Sequence, residues 1–92
     1  MPLSLHDENF IESGLETLCK SIIRPSDPGY GDVKQFIYVH EFGLALDLLA
    51  HIQLKSGKPP SSDTRELFEA LALKMGMEEG DEWQGVAKIR AA

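Results

Sequence analysis

A chain of 92 residues, 42% apolar and 26% charged, is the size and composition of one globular domain, 1–92, too short for several and too apolar for disorder. Fifteen acids against nine bases leave a net charge of −6, a balance that disfavours nucleic acid, whose binding rests on Lys and Arg neutralising phosphate. The one cysteine, Cys19, excludes an internal disulfide and fits a reducing cytosol.

The first predicted element carries Ile11, Leu15, Leu18 and Ile22 at steps of four, three and four, one face of an α-helix. Asp7 is its expected N-cap, with Glu8 in the first turn suiting the helix dipole. Gly14 costs such a helix about 1 kcal/mol relative to alanine. Pro25 stops it near Ile23 by restricting the residue before it. Residues 24–31 hold two prolines and two glycines and read as a loop. Asp32 is the expected cap of a short second helix carrying Val33, Phe36 and Ile37, its apolar face widened by Tyr38 and Val39. A bend or break is expected around His40–Gly43.

The third helix, to about Lys55, is the densest apolar segment. Ala45, Leu48, Leu49 and Ile52 form one face, and Leu44, Leu46 and Leu54 broaden it, so it should touch neighbours on several sides. Gly57 and the prolines 59 and 60 end it. Ser62 or Asp63 caps a fourth helix, the latter with Glu66 in an acidic capping box. Leu67, Phe68, Leu71, Ala72 and Met75 give it a stripe. Gly76 and Gly80 bracket an acidic turn, and a short last helix turns Trp83, Val86 and Ala87 inward. The sum is an all-α fold, a compact antiparallel bundle of four to five short helices.

No segment approaches the ~20 apolar residues of a membrane span. The N-terminal Met-Pro-Leu-Ser-Leu-His-Asp-Glu has no basic region, so a signal peptide is not expected and a cytoplasmic location is. Little points to an enzyme. His6, His40 and His51 are scattered. His40-Glu41 begins like a zinc-protease helix, but Leu44 stands where the second ligand would be. Asp47 and His51, four apart, can pair as an ordinary ion pair or, far less readily, serve catalysis. Cys19 reads as a small core residue. No cofactor loop or metal-ligand spacing is present in the sequence, so none of either is expected.

The acids are distributed unevenly. Residues 1–19 hold Asp7, Glu8, Glu12 and Glu16 and no Lys or Arg, and Glu78, Glu79, Asp81 and Glu82 form a second cluster. Glu8, Glu12 and Glu16 lie at steps of four along one edge of the first helix. They read either as a solvated face eased by the dipole or as a stripe meeting a partner's lysines and arginines. Trp83, beside the second cluster, is a core anchor or an interface aromatic.

The segment Tyr38-Val39-His40-Glu41-Phe42-Gly43-Leu44-Ala45-Leu46-Asp47-Leu48-Leu49 resembles the small all-helical MafI-type immunity proteins of bacterial toxin–immunity systems. In these, an acid, a small or aromatic residue and Leu-Ala-Leu-acid-x-Leu mark the start of a central helix. The likeness continues through a Pro/Ser turn to Leu67-Phe68 and Met75-Gly76-Met77, covering roughly residues 33–77. It implies a cytosolic, non-enzymatic antidote that binds a cognate toxin domain, often a basic nuclease such as an RNase, and covers its active site. The motif itself names no contact residues; charge makes Glu8, Glu12, Glu16 and Asp32, with Glu78, Glu79, Asp81 and Glu82, the expected partner-binding residues for a basic partner. Glu41 and Asp47 would then cap and fasten the central helix. The other reading is an acidic helical adaptor or regulatory subunit for a non-toxin protein.

Overall fold

The computed structural model describes residues 5–77 and 84–91. Within them lie five helices: α1 (Leu5–Ile22), α2 (Tyr30–Tyr38), α3 (Phe42–Lys55), α4 (Ser62–Lys74) and α5 (Gln84–Ala91). The molecule is a small all-α bundle. Helix α3 packs against each of the other four, which is the arrangement its broad apolar face requires. Ala45, Leu46, Leu49 and Ala50 are wholly buried there, and Phe42 nearly so. They join Ile11, Leu15 and Leu18 of α1, Val33 and Ile37 of α2, Phe68 and Leu71 of α4, and Val86 and Ile89 of α5 in one core cluster.

Several helix starts differ from the sequence expectation, each for a local reason. Helix α1 begins at Leu5, two residues before Asp7. Asp7 therefore sits in the first turn, where its carboxylate meets Lys74 of α4 at 2.8 Å. Helix α2 begins at Tyr30, and its cap position is Gly29 in the left-handed region at φ 92°, without a side-chain cap. Asp32 is thus inside the first turn rather than at the cap. Helix α4 is capped by Ser61, not by Ser62 or Asp63: its Oγ accepts from the Thr64 amide at 3.1 Å.

The break between α2 and α3 falls within the expected region and has an identifiable form. The amide of Glu41 donates to the Phe36 carbonyl and that of His40 to the Ile37 carbonyl, the paired bonds of a Schellman motif. Glycine usually fills the left-handed position of this motif, but here it is His40, at φ 61°. Its ring stacks on Phe42, with centroids 5.1 Å apart, at the start of α3. Helix α4 ends in the same motif with Gly76 at φ 68°.

Four apolar residues do not face the way the patterns suggested. Tyr38 is 81% exposed and Val39 48%, so neither widens the buried face of α2. At about 100° per residue, Tyr38 falls well off the Val33–Ile37 line, and Val39 lies beyond the helix. Leu44 is 43% exposed, because it projects from α3 opposite Phe42, Leu46 and Leu49. In α5 Ala87 is exposed, and the inward pair is Val86 and Ile89. Trp83, Gly80 and the acids at 78, 79, 81 and 82 lie outside the described residues.

Candidate protein-binding surface

Helices α1 and α2 pack side by side, and a shallow groove of about 360 Å³ runs between them. Its lining includes Glu12 and Glu16 from α1 and Lys34, Gln35 and Tyr38 from α2. The spacing explains the membership. Residues four apart advance a helix by one turn and about 40°, so Glu12 and Glu16 follow one edge of α1 while Lys34 and Tyr38 follow the facing edge of α2.

The two acids differ in their partners. Lys34 donates from Nζ to the Glu16 carboxylate, joining α1 to α2 through a half-buried ion pair. That hydrogen bond raises the Lys34 pKa above its ordinary value, outweighing the opposing effect of desolvation. Glu12, one turn earlier, is exposed and has no hydrogen-bond or ion-pair partner among the described residues. Tyr38, also exposed, lines the same groove. A groove that offers both an unpaired carboxylate and an aromatic ring is suited to cations, above all guanidinium groups, which bond carboxylate oxygens and lie over rings.

The remaining expected contact residues fall elsewhere. Glu8 continues the α1 edge and is half-buried, outside the lining of this groove. Asp32 is exposed but lies two residues from Lys34, hence on roughly the opposite edge of α2. The structure therefore gathers Glu12 and Glu16 and separates Asp32 from them. Glu78, Glu79, Asp81 and Glu82 lie outside the described residues. Lys34 and Tyr38 were not among the expected contacts. The signal for them was present: Tyr38 follows Lys34 by four and departs from the Val33–Ile37 stripe.

The motif acid of the central helix has a different task. Asp47 Oδ1 accepts a hydrogen bond from the Val86 amide at 3.2 Å, in the first turn of α5. Its Oδ2 lies 3.1 Å from His51 Nε2, four residues on. Asp47 thus caps α5 from a neighbouring helix, satisfying an amide that has no partner within α5. Gly85 makes the approach possible: a Cβ there would lie 3.0 Å from the Asp47 carbonyl oxygen and 3.0 Å from its Oδ1. Glu41 occupies the N-cap position of α3, is exposed, and makes no side-chain capping bond.

These features define a small helical bundle with one acidic, aromatic-walled groove and an internally fastened C-terminal helix. Compared with protein-family models, curated proteins and solved structures, the chain matches none of them.

Proposed function

We propose that this protein is an inhibitor of the immunity type, binding a basic toxin domain, an RNA-cleaving nuclease, and covering its substrate site. The observation that carries the reading is Glu12, exposed and without an ion pair in a groove that the exposed Tyr38 also lines. A site that holds RNA must present cations to phosphate. Those same cations are what a free carboxylate and a tyrosine face would receive. The net charge of −6 adds long-range attraction, which speeds encounter with a basic partner toward ~10⁸ M⁻¹s⁻¹ at low salt. The resemblance of residues 38–49 to immunity proteins points to the same class of partner.

The test uses the product of the gene adjacent to this protein's own, which this reading expects to be a toxin domain. Added in equal amount, the protein should suppress RNA cleavage. Glu12→Lys should weaken inhibition about tenfold or more and flatten its salt dependence, with the helical circular dichroism unchanged. A toxin that keeps full activity in an excess of this protein would sink the immunity reading. Binding without inhibition would favour the adaptor reading instead.

A further inference from the structure

The cations are distributed as unevenly as the acids. Lys34 and Lys74 are paired with Glu16 and Asp7. Lys20, Arg24, Lys55 and Lys58 instead gather at the end of the molecule where α1 and α3 both terminate. All four are exposed, and none has an ion-pair partner among the described residues. The dipoles of α1 and α3 account for Lys20 and Lys55, which sit in the last turns. Arg24 and Lys58 lie beyond the helix ends and owe nothing to them. The one acid among the described residues lining this end, Asp27, accepts a hydrogen bond from the Arg24 amide and so serves the turn.

Two grooves of about 500 Å³ each meet at this end and share Ile22, Ile23, Asp27 and Ser56. One is polar and is bordered by Lys20, Arg24 and Lys58. The other is apolar, with Ile22, Pro28, Leu48 and Ile52 on its walls and Lys55 at its margin. Leu48, Ile52 and Lys55 follow one another by four and three residues, a stripe along α3 about 10 Å long. Gly29 closes the floor, with Ile52 Cδ1 3.2 Å from where its Cβ would be.

We propose that this end is a second docking surface, taking an acidic amphipathic segment of a partner protein. The segment's apolar side chains would enter the Ile22–Pro28–Leu48–Ile52 groove, and its carboxylates would meet Lys20, Arg24, Lys55 and Lys58. Charge complementarity selects the occupant. On a molecule of net charge −6, an acidic segment is attracted only where the cations cluster and is repelled by the acidic edge of α1. Leu48 and Ile52, four apart on α3, run the apolar wall along a helix, the form that receives a helical segment. The surface is separate from the α1–α2 groove, and the proposal stands or falls without the inhibitor reading.

The probe is a fluorescein-labelled two-heptad amphipathic peptide of leucine and glutamate, with its glutamine counterpart as control. Nuclear magnetic resonance of the full chain should move the methyl signals of Ile22, Ile23, Leu48 and Ile52. Fluorescence anisotropy should give an affinity that falls with added salt and is weaker by about tenfold or more for the glutamine peptide. The combined variant Lys20→Glu, Arg24→Glu and Lys58→Glu should lose binding, whereas Glu12→Lys should keep it. The salt series on the unmodified chain decides the matter if the combined variant fails to fold. Absent binding, affinity indifferent to salt, or shifts on other faces would overturn the proposal. So would shifts produced by dodecanoate but not by the peptide, or by self-association of the chain alone.

Discussion

At the residue scale the approach of Gly85 to the Asp47 backbone leaves no room for a side chain. The backbone of α5 comes so near α3 that an added methyl would meet a carbonyl oxygen, an atom that cannot swing aside as a side chain can. Gly85→Ala should therefore destabilise the fold by about 1–3 kcal/mol despite alanine's higher helix propensity, measured by urea denaturation. A gain in stability would mean that the helices are less closely apposed. Cys19 offers a second check. Burial in the core is the largest influence on its thiol and raises the pKa, so the thiolate is disfavoured in the folded state. Iodoacetamide should leave Cys19 unmodified in the native protein at pH 8 and alkylate it in urea. The same shift makes the folded state hold its proton longer than the unfolded chain. Stability from this group is whole below the ordinary thiol pKa and declines as pH rises past it. Rapid labelling of native protein would place Cys19 outside the core.

At the scale of elements, apolar periodicity located the helix bodies well, and local turn chemistry decided the ends. Ile11, Leu15 and Leu18 are buried as their spacing requires, and α3 is the hub that its breadth implies. The caps were harder to read, because consecutive serines and an aspartate at 61–63 each offer an oxygen. Only in the folded turn is it the Ser61 oxygen that reaches the Thr64 amide. Ser61→Ala should lower stability by about 1 kcal/mol, and Ser62→Ala by much less, as read from thermal denaturation. The reverse order would return the cap to Ser62. Gly14 is a related case. As a propensity it weakens α1, yet its missing Cβ admits Leu71 of α4, whose Cδ2 lies 2.8 Å from where that atom would be. Sequence reads the cost, but the packing reason lies in another helix. The candidate groove was half legible for the same reason: the acids of α1 stand out in sequence, whereas Lys34 and Tyr38 gain meaning only when α2 lies beside them.

For the whole molecule the chief property is segregation of charge. Glu12, an acid without an ion pair, lies on the α1–α2 edge, and Lys20, Arg24, Lys55 and Lys58 gather where α1 and α3 end, while Arg65 and Lys88 stand apart on α4 and α5. The pairs Glu16–Lys34 and Asp7–Lys74 tie α1 to the helices on either side of it. Both pairs are partly exposed, and screening leaves such pairs little net worth, so the bundle rests chiefly on its apolar core. Moderate salt should thus change partner affinity much more than melting temperature, which calorimetry across a salt series would check. A melting temperature that fell steeply with salt would assign the surface pairs a structural weight that their exposure does not suggest.

The hydrogen bond from the Val86 amide to Asp47 also has a consequence in time. Amides in the first turn of a helix ordinarily exchange with solvent quickly, having no partner within the helix. Val86 has one, but on α3. Its exchange should be slow for its position, and its rate should report separation of the two helices rather than fraying of α5. An isolated eight-residue helix is too short to persist in water, so separation and melting of α5 should be one event. Deuterium uptake at Val86 would then match that at Ile89. Uptake at Val86 much faster than at Ile89 would show the helix end opening by itself.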